Sequence, residues 1–204
     1  MEYRLSSAYN MELAKQKGYK RSYQVTDEAT QKTLAHSDVF GYVSHDAITV
    51  QNDFGDVATL APNRKIMPSE WTLSDVKKVP LYTYARLSLV KAMNPFGRDV
   101  MTVTDARSAR TFHLRNTTES KLDLLLGPSS TDWVLFEGDA VVGYLDRRKD
   151  PNAPLPGNKV LASLKRFMQS SDWVFVSTET EPALSASGYL ILMLLFEELT
   201  KDTG

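Results

Sequence analysis

From residue 19 to about residue 173 the chain is written in short runs of alternating or apolar character, each closed by turn residues. Residues 23–26 alternate apolar and polar, and residues 27–30 follow as a turn. Residues 47–50 alternate again, residues 52–55 turn the chain, and residues 57–60 resume. Further runs stand at 71–73, 81–87, 99–104, 111–115, 122–126, 133–136 and 140–145. They are rich in β-branched and aromatic types and separated by Gly, Asp, Asn, Pro or Ser, which predicts an antiparallel sandwich or closed barrel. Gly138, between Phe136 and Ala140, can take a positive φ and predicts a tight hairpin there. The stretches 52–60, 105–113 and 137–146 share an apolar pair, a turn and a second strand, which reads as repeated hairpins rather than a solenoid. Residues 147–157 hold three prolines and a glycine in eleven positions and predict a loop.

The two ends of the chain depart from this rhythm. Residues 1–20 predict a helical or irregular extension on the outside of the domain, with Ser7 or Asn10 as a cap and Gly18 as a stop. Residues 183–199 predict a helix that is apolar or small on every side as far as Phe196, with Thr180 as cap and Pro182 in the first turn. No polar stripe recurs at helical spacing, so this is not a surface helix. A membrane span needs about 20 apolar residues. The strictly apolar run here, from Gly188 to Phe196, is nine residues and is closed by Glu197 and Glu198. A helix of some 17 residues is about 25 Å long, the right length for the axis of a wide barrel. Leu190, Ile191, Leu192, Met193, Leu194, Leu195 and Phe196 are therefore expected to fill a closed wall as its core helix, in one domain spanning residues 1–204.

Many strands followed by a wholly apolar C-terminal helix resemble the tubby C-terminal fold, shared by phospholipid scramblases and LURP-one-related proteins. Val39, Phe40 and Gly41, the run from Asn52 to Val57, and Trp71, Thr72 and Leu73 are similar to the early strands of the LURP-one-related pattern. Residues 164–175 resemble the scramblase stretch in which a basic pair, a Phe and an acidic turn precede an aromatic strand. Residues 190–197 resemble the helix of these families, including its closing acid. The resemblance covers roughly residues 21–200 and implies a closed antiparallel barrel of about twelve strands around a buried helix. It also implies phosphoinositide binding through basic residues, as in tubby proteins, or a calcium-responsive lipid activity, as in scramblases. The scramblase acidic segment corresponds to Asp172, Glu179 and Glu181, diluted here by Ser and Thr, which falls short of the six to eight oxygens a hard cation takes. The scramblase palmitoylation cysteines have no counterpart, because Cys is absent.

Composition narrows the function. Formal net charge is −1, whereas a nucleic-acid binder carries a strong positive excess, so no nucleic-acid partner is expected. Without cysteine there is no disulfide, Cys-ligated zinc or thiol nucleophile. The first residues carry no apolar stretch of a secretory signal, and a cytoplasmic, membrane-peripheral protein without a transmembrane segment is expected. No HExxH, P-loop or GxGxxG occurs, and no cofactor is expected. Ser44, His45 and Asp46 are triad residue types, but adjacency in sequence is the wrong geometry for a triad. His36 and His113 are the other histidines. Arg147, Arg148 and Lys149, with Lys165 and Arg166, form the candidate anion site for acidic lipid headgroups, against the alternative of a solvated loop. Lys15, Lys17, Lys20 and Arg21 form a second basic run with the same alternative. Trp71, Trp133 and Trp173 stand in strand-like settings and read as core. A non-enzymatic module binding anionic membrane lipid, a protein-interaction scaffold, and a small-molecule enzyme are the three readings, in that order.

Overall fold

The computed structural model describes residues 1–8, 19–40, 47–64, 68–87, 99–116, 133–147 and 172–201. Twelve antiparallel strands form a closed barrel. In chain order they are β1 (Glu2–Ala8), β2 (Tyr19–Asp27), β3 (Thr33–Phe40), β4 (Ile48–Asn52), β5 (Val57–Pro62) and β6 (Glu70–Asp75). The ring continues with β7 (Pro80–Arg86), β8 (Asp99–Asp105), β9 (Thr111–Asn116), β10 (Trp133–Glu137), β11 (Ala140–Arg147) and β12 (Asp172–Ser177). One helix, α1 (Ala186–Lys201), follows. Each strand pairs with its neighbours in sequence, and β1 pairs with β12 to close the ring. The expected strands 23–26, 47–50, 57–60, 71–73, 81–87, 99–104, 111–115, 133–136 and 140–145 all fall on strands of this wall. The expected strand 122–126 lies outside the described residues, as does the loop 147–157 beyond Arg147.

Period-two alternation sets the inner face. Trp71 and Leu73, Tyr82 and Tyr84, Met101 and Val103, and Phe112 and Leu114 are buried. Their sequence neighbours, such as Thr72, Thr83, Thr102 and Thr104, are less covered. A barrel of eight strands is filled by its own side chains, but a wider one leaves a lumen that needs another occupant. Here α1 is that occupant: Leu190 to Leu194 are 0% exposed, and Leu195 and Phe196 nearly so. Burial of each such side chain stabilises by about 1.5–3 kcal/mol, and this is why an all-round apolar helix has no stable position outside the wall. Close packing extends to the wall itself. A Cβ at Gly143 of β11 would lie 2.3 Å from Cζ of Phe175 and 2.7 Å from the carbonyl oxygen of Val176. The absence of a side chain there lets Phe175 reach Tyr189 of α1, ring centroids 4.7 Å apart, with Tyr3 stacked at 4.8 Å from Tyr189.

Three expectations are corrected. Residues 2–8, expected outside as part of an extension over 1–20, form a wall strand in register with β12 and β2. Tyr3 and Leu5 supply its buried face, and its partner β12 lies at the far end of the sequence, so local pattern does not reveal the pairing. The helix begins at Ala186 rather than 183: the Gly188 N–H donates to Ser185 Oγ (3.2 Å), so Ser185 is the cap, not Thr180, and Pro182 precedes the helix. Arg21, expected in a solvated basic run, shares the inward parity of Tyr23 and Val25 and is buried.

The wall has two rims. The β2–β3, β4–β5, β6–β7, β8–β9 and β10–β11 hairpins turn at one of them, termed here the turn rim. Four of these turns repeat one device, in which a side-chain carboxamide or carboxylate caps its own loop. Asp27 Oδ1 accepts from the N–H of Ala29, Asn52 Oδ1 from Phe54 and Asp56, Asp75 Oδ1 from Lys77 and Val79, and Asp105 Oδ1 from Arg107. The fifth turn is the expected Gly138 hairpin, with φ +58° at Gly138 and Glu137 paired to Ala140.

Candidate functional site

The lumen is sealed against ligands by its contents. At the turn rim the Ser185 N–H donates to Tyr82 Oη (3.0 Å), and Tyr84 Oη donates to the Gly188 carbonyl (3.0 Å). Burial, then the neighbouring Tyr82, holds the Tyr84 hydroxyl well above the ordinary phenol range. Burial likewise raises Tyr189, partly offset by the backbone N–H groups of Leu184 and Ala183. At the other rim Phe196 meets Trp133 and Trp173 edge-on, at 4.7 and 4.9 Å between centroids. Beside them Arg21 Nη1 donates to Glu197 Oε1 at 2.7 Å, with the two side chains 10% and 2% exposed. This pair was not identified from sequence. Its signal was the coincidence of an arginine on the inward parity of β2 with a glutamate ending an apolar helix.

Further polar clusters of the described residues lie on the outer wall and the rims. One open cleft of about 370 Å³ lies over β1, β2 and β3, lined by Ser6, Ser22, Tyr23, Gln24, Thr33, His36 and Asp38. Ser22 Oγ donates to Asp38 Oδ1 at 2.6 Å. The hydroxyl thus meets a carboxylate directly, without the intervening imidazole that would make it a nucleophile. A second outer cluster centres on Asp99, which a register shift before Met101 brings level with Arg115. Arg115 Nε donates to Asp99 Oδ1 (2.7 Å), His113 Nδ1 lies 3.1 Å from Asp99 Oδ2, and the Arg115 guanidinium covers the Phe136 ring at 4.7 Å. On the turn rim Arg110 forks onto both oxygens of Glu137 and lies 3.6 Å from Glu179. The hydrogen bond from Arg110 holds the Glu137 carboxyl below its usual range, and the same contact pushes Arg110 up. At Asp105 burial pushes the carboxyl up, but the N–H of Arg107, the hydroxyl and N–H of Ser108 and the Arg107 charge outweigh it, and the net direction is down.

Among the described candidate site residues, Arg147 and Asp172 stand at one rim and Glu179 at the other. Arg147 is the last residue of β11, opposite Trp173, at the rim away from the hairpin turns. Arg148, Lys149, Lys165 and Arg166 lie outside the described residues. Of the calcium candidates, Asp172 opens β12 and Glu179 follows its end, so the length of that strand, about 17 Å at 3.4 Å per residue, stands between them. Glu179 is held near Arg110 and Glu181 is exposed. These three acids do not meet at one cation, and among the described residues no group of three or more His, Cys, Asp or Glu is placed to hold a metal. Of the histidines, His36 and His113 sit on the two outer-wall clusters, and His45 lies outside the described residues. Among the described residues no helix is long and apolar enough to cross a membrane. No protein-family model and no curated protein matches the chain. Among solved structures, the X-ray structure of a protein from Arabidopsis thaliana is similar over 97% of this chain and 91% of that chain, at 13% identity and a TM-score of 0.49.

Proposed function

We propose that this chain is a non-enzymatic, tubby/scramblase-like module that engages anionic phospholipid headgroups from outside its barrel, in peripheral association with a membrane. The observation that carries the reading is the filled lumen. Side chains from Leu190 to Phe196 take the space in which a ligand-carrying barrel holds its ligand, so recognition falls to exterior charge and shape. The basic run Arg147, Arg148 and Lys149 starts where β11 reaches its rim, and Lys165 and Arg166 add to the same charge in sequence. A basic residue near an anionic bilayer contributes about 1 kcal/mol, enough for a short cluster to give weak, salt-sensitive attachment.

Cosedimentation with phosphatidylcholine vesicles, with and without phosphatidylserine, at two salt concentrations tests this. The full chain is expected to pellet with the anionic vesicles at low salt and to be released at high salt. Arg148→Glu with Lys149→Glu is expected to weaken attachment at least about tenfold. Equal recovery with both vesicle types, or none with either, would refute the proposal.

A further inference from the structure

We infer that the barrel attaches to an anionic membrane end-on and in one pose: the rim opposite the hairpin turns lies against the headgroups, and the acids of the turn rim reject the reversed pose. The inference rests on the lipid reading and adds to it an orientation and a role for residues outside the basic run. Its ground is a charge asymmetry along the barrel axis that the topology creates. The five hairpin turns and the β12–α1 link join the wall at the turn rim. The other six connections, between β1 and β2, β3 and β4, β5 and β6, β7 and β8, β9 and β10, and β11 and β12, join it at the opposite rim.

Charge divides between these two sets. The six turn-rim connections, each counted with the residue that closes one element and the residue that opens the next, carry ten acidic and five basic side chains. The six at the opposite rim, counted alike, carry fourteen basic and nine acidic ones. One rim is thus five charges negative and the other five charges positive, in a chain whose formal net charge is −1. Local pairing, such as Lys32 with Asp53 and Arg110 with Glu137, is already inside that count. Asp139 and Glu181 are exposed, and among the described residues neither holds an ion pair. The dipole of α1 opposes the asymmetry, with its positive end at the turn rim, but amounts to about half a charge at each end.

Distance lets a membrane sense one rim at a time. A seven-residue strand such as β7 or β8 is about 24 Å long at 3.4 Å per residue, and a barrel tilt of about 40° leaves about 18 Å between the rims. Screening acts over about 10 Å at about 0.1 M salt, so the charges of the remote rim contribute little. Headgroup phosphates therefore meet a positive rim in one pose and a negative rim in the other. The basic run at Arg147, Arg148 and Lys149, with Lys165 and Arg166, belongs to the attracting set. The turn-rim acids supply the opposing element, a like-charge clash that discriminates against the wrong pose as attraction alone does not.

The chain has no cysteine, so a single introduced cysteine carries an uncharged fluorescent donor to a chosen place on the full chain. Thr180→Cys marks the turn rim and Asn63→Cys the opposite one, both at exposed positions. The vesicles contain phosphatidylserine and an acceptor-labelled lipid. Energy transfer from Asn63→Cys is expected to be at least about twofold that from Thr180→Cys, given about 18 Å between the rims. Asp139→Lys with Glu181→Lys is expected to narrow that ratio at an unaltered thermal midpoint, while the fraction pelleted with the vesicles holds or rises. A ratio that this double variant leaves unmoved would overturn the role given to the turn-rim acids. Equal transfer from the two labels, or more from Thr180→Cys, in a chain that still pellets with anionic vesicles refutes the pose and leaves the headgroup reading standing. A wild type that binds no vesicle refutes both.

Discussion

Where α1 enters the barrel its first turn is held by tyrosine hydroxyls, with Tyr189 packed against the Tyr3 and Phe175 rings; where it leaves, Phe196 meets two indole rings beside a buried ion pair. At the entry, Gly188 sits close enough to Tyr82 that a Cβ would be 3.1 Å from the ring, and Tyr82 and Tyr84 hydrogen-bond to the helix backbone. At the exit, Phe196 is flanked by Trp133 and Trp173, and Glu197 is neutralised by Arg21. The contrast separates two tasks. Hydrogen bonds to named backbone atoms fix where along the axis the helix stops. Bulk and charge at the other end fill the bore, and sliding the helix out would separate Arg21 from Glu197. The second task carries more free energy, because an uncompensated buried charge costs far more than a neutral hydrogen bond.

The largest effect should follow from breaking the ion pair on one side only. Glu197→Leu leaves the Arg21 guanidinium buried without its carboxylate and is expected to destabilise by about 3–5 kcal/mol. Adding Arg21→Met should return most of that loss. Urea midpoints at constant slope read both variants. If the double variant is no more stable than the single one, the pair is not the unit that holds this end.

The exit pair also shows what the sequence could and could not convey. The helix was legible because an apolar run without a polar stripe has one physical solution, and the wall was legible where strands are short, β-branched and bounded by Asp, Asn or Gly. Strand β1 was not, since Tyr3 and Leu5 alone mark it and its partner Trp173 stands at the opposite end of the chain. Strand β3 was legible only at its end, through the resemblance at Val39 and Phe40, because its described buried face holds the small residues Ala35 and Ser37. The inward place of Arg21 is masked in the sequence by Lys15, Lys17 and Lys20 just before it, although it shares the parity of Tyr23 and Val25. The candidate anion site was legible only as composition.

A smaller effect is expected at the entry. Tyr84→Phe removes the donor to the Gly188 carbonyl, which keeps a helical partner, and should lower stability by about 1 kcal/mol. A loss as large as that of Glu197→Leu, measured in the same urea series, would show that the two ends share one task. The smallest effect is expected from Gly188→Ala. Helix propensity favours alanine by up to about 1 kcal/mol, while Tyr82 and the Leu184 Cβ must each give by a few tenths of an ångström. These terms oppose, and the thermal midpoint should move by no more than a few degrees. A collapse of the fold on this change would mean that the tyrosine side of the wall is far stiffer than its rim position implies.

The seam of the ring has a consequence for the order of assembly. Glu2 to Ser6 align with Val176 to Asp172, so the first residues of the wall are stitched to its last strand, and the filler comes later still. Until a growing chain has passed Ser177, the wall is by geometry an open sheet with two free edges, its greasy face uncovered. Closure and filling are then one late event, reached only after all twelve strands of the wall have been made. Such a molecule depends on protection of its open sheet in the interval far more than on speed in any early step.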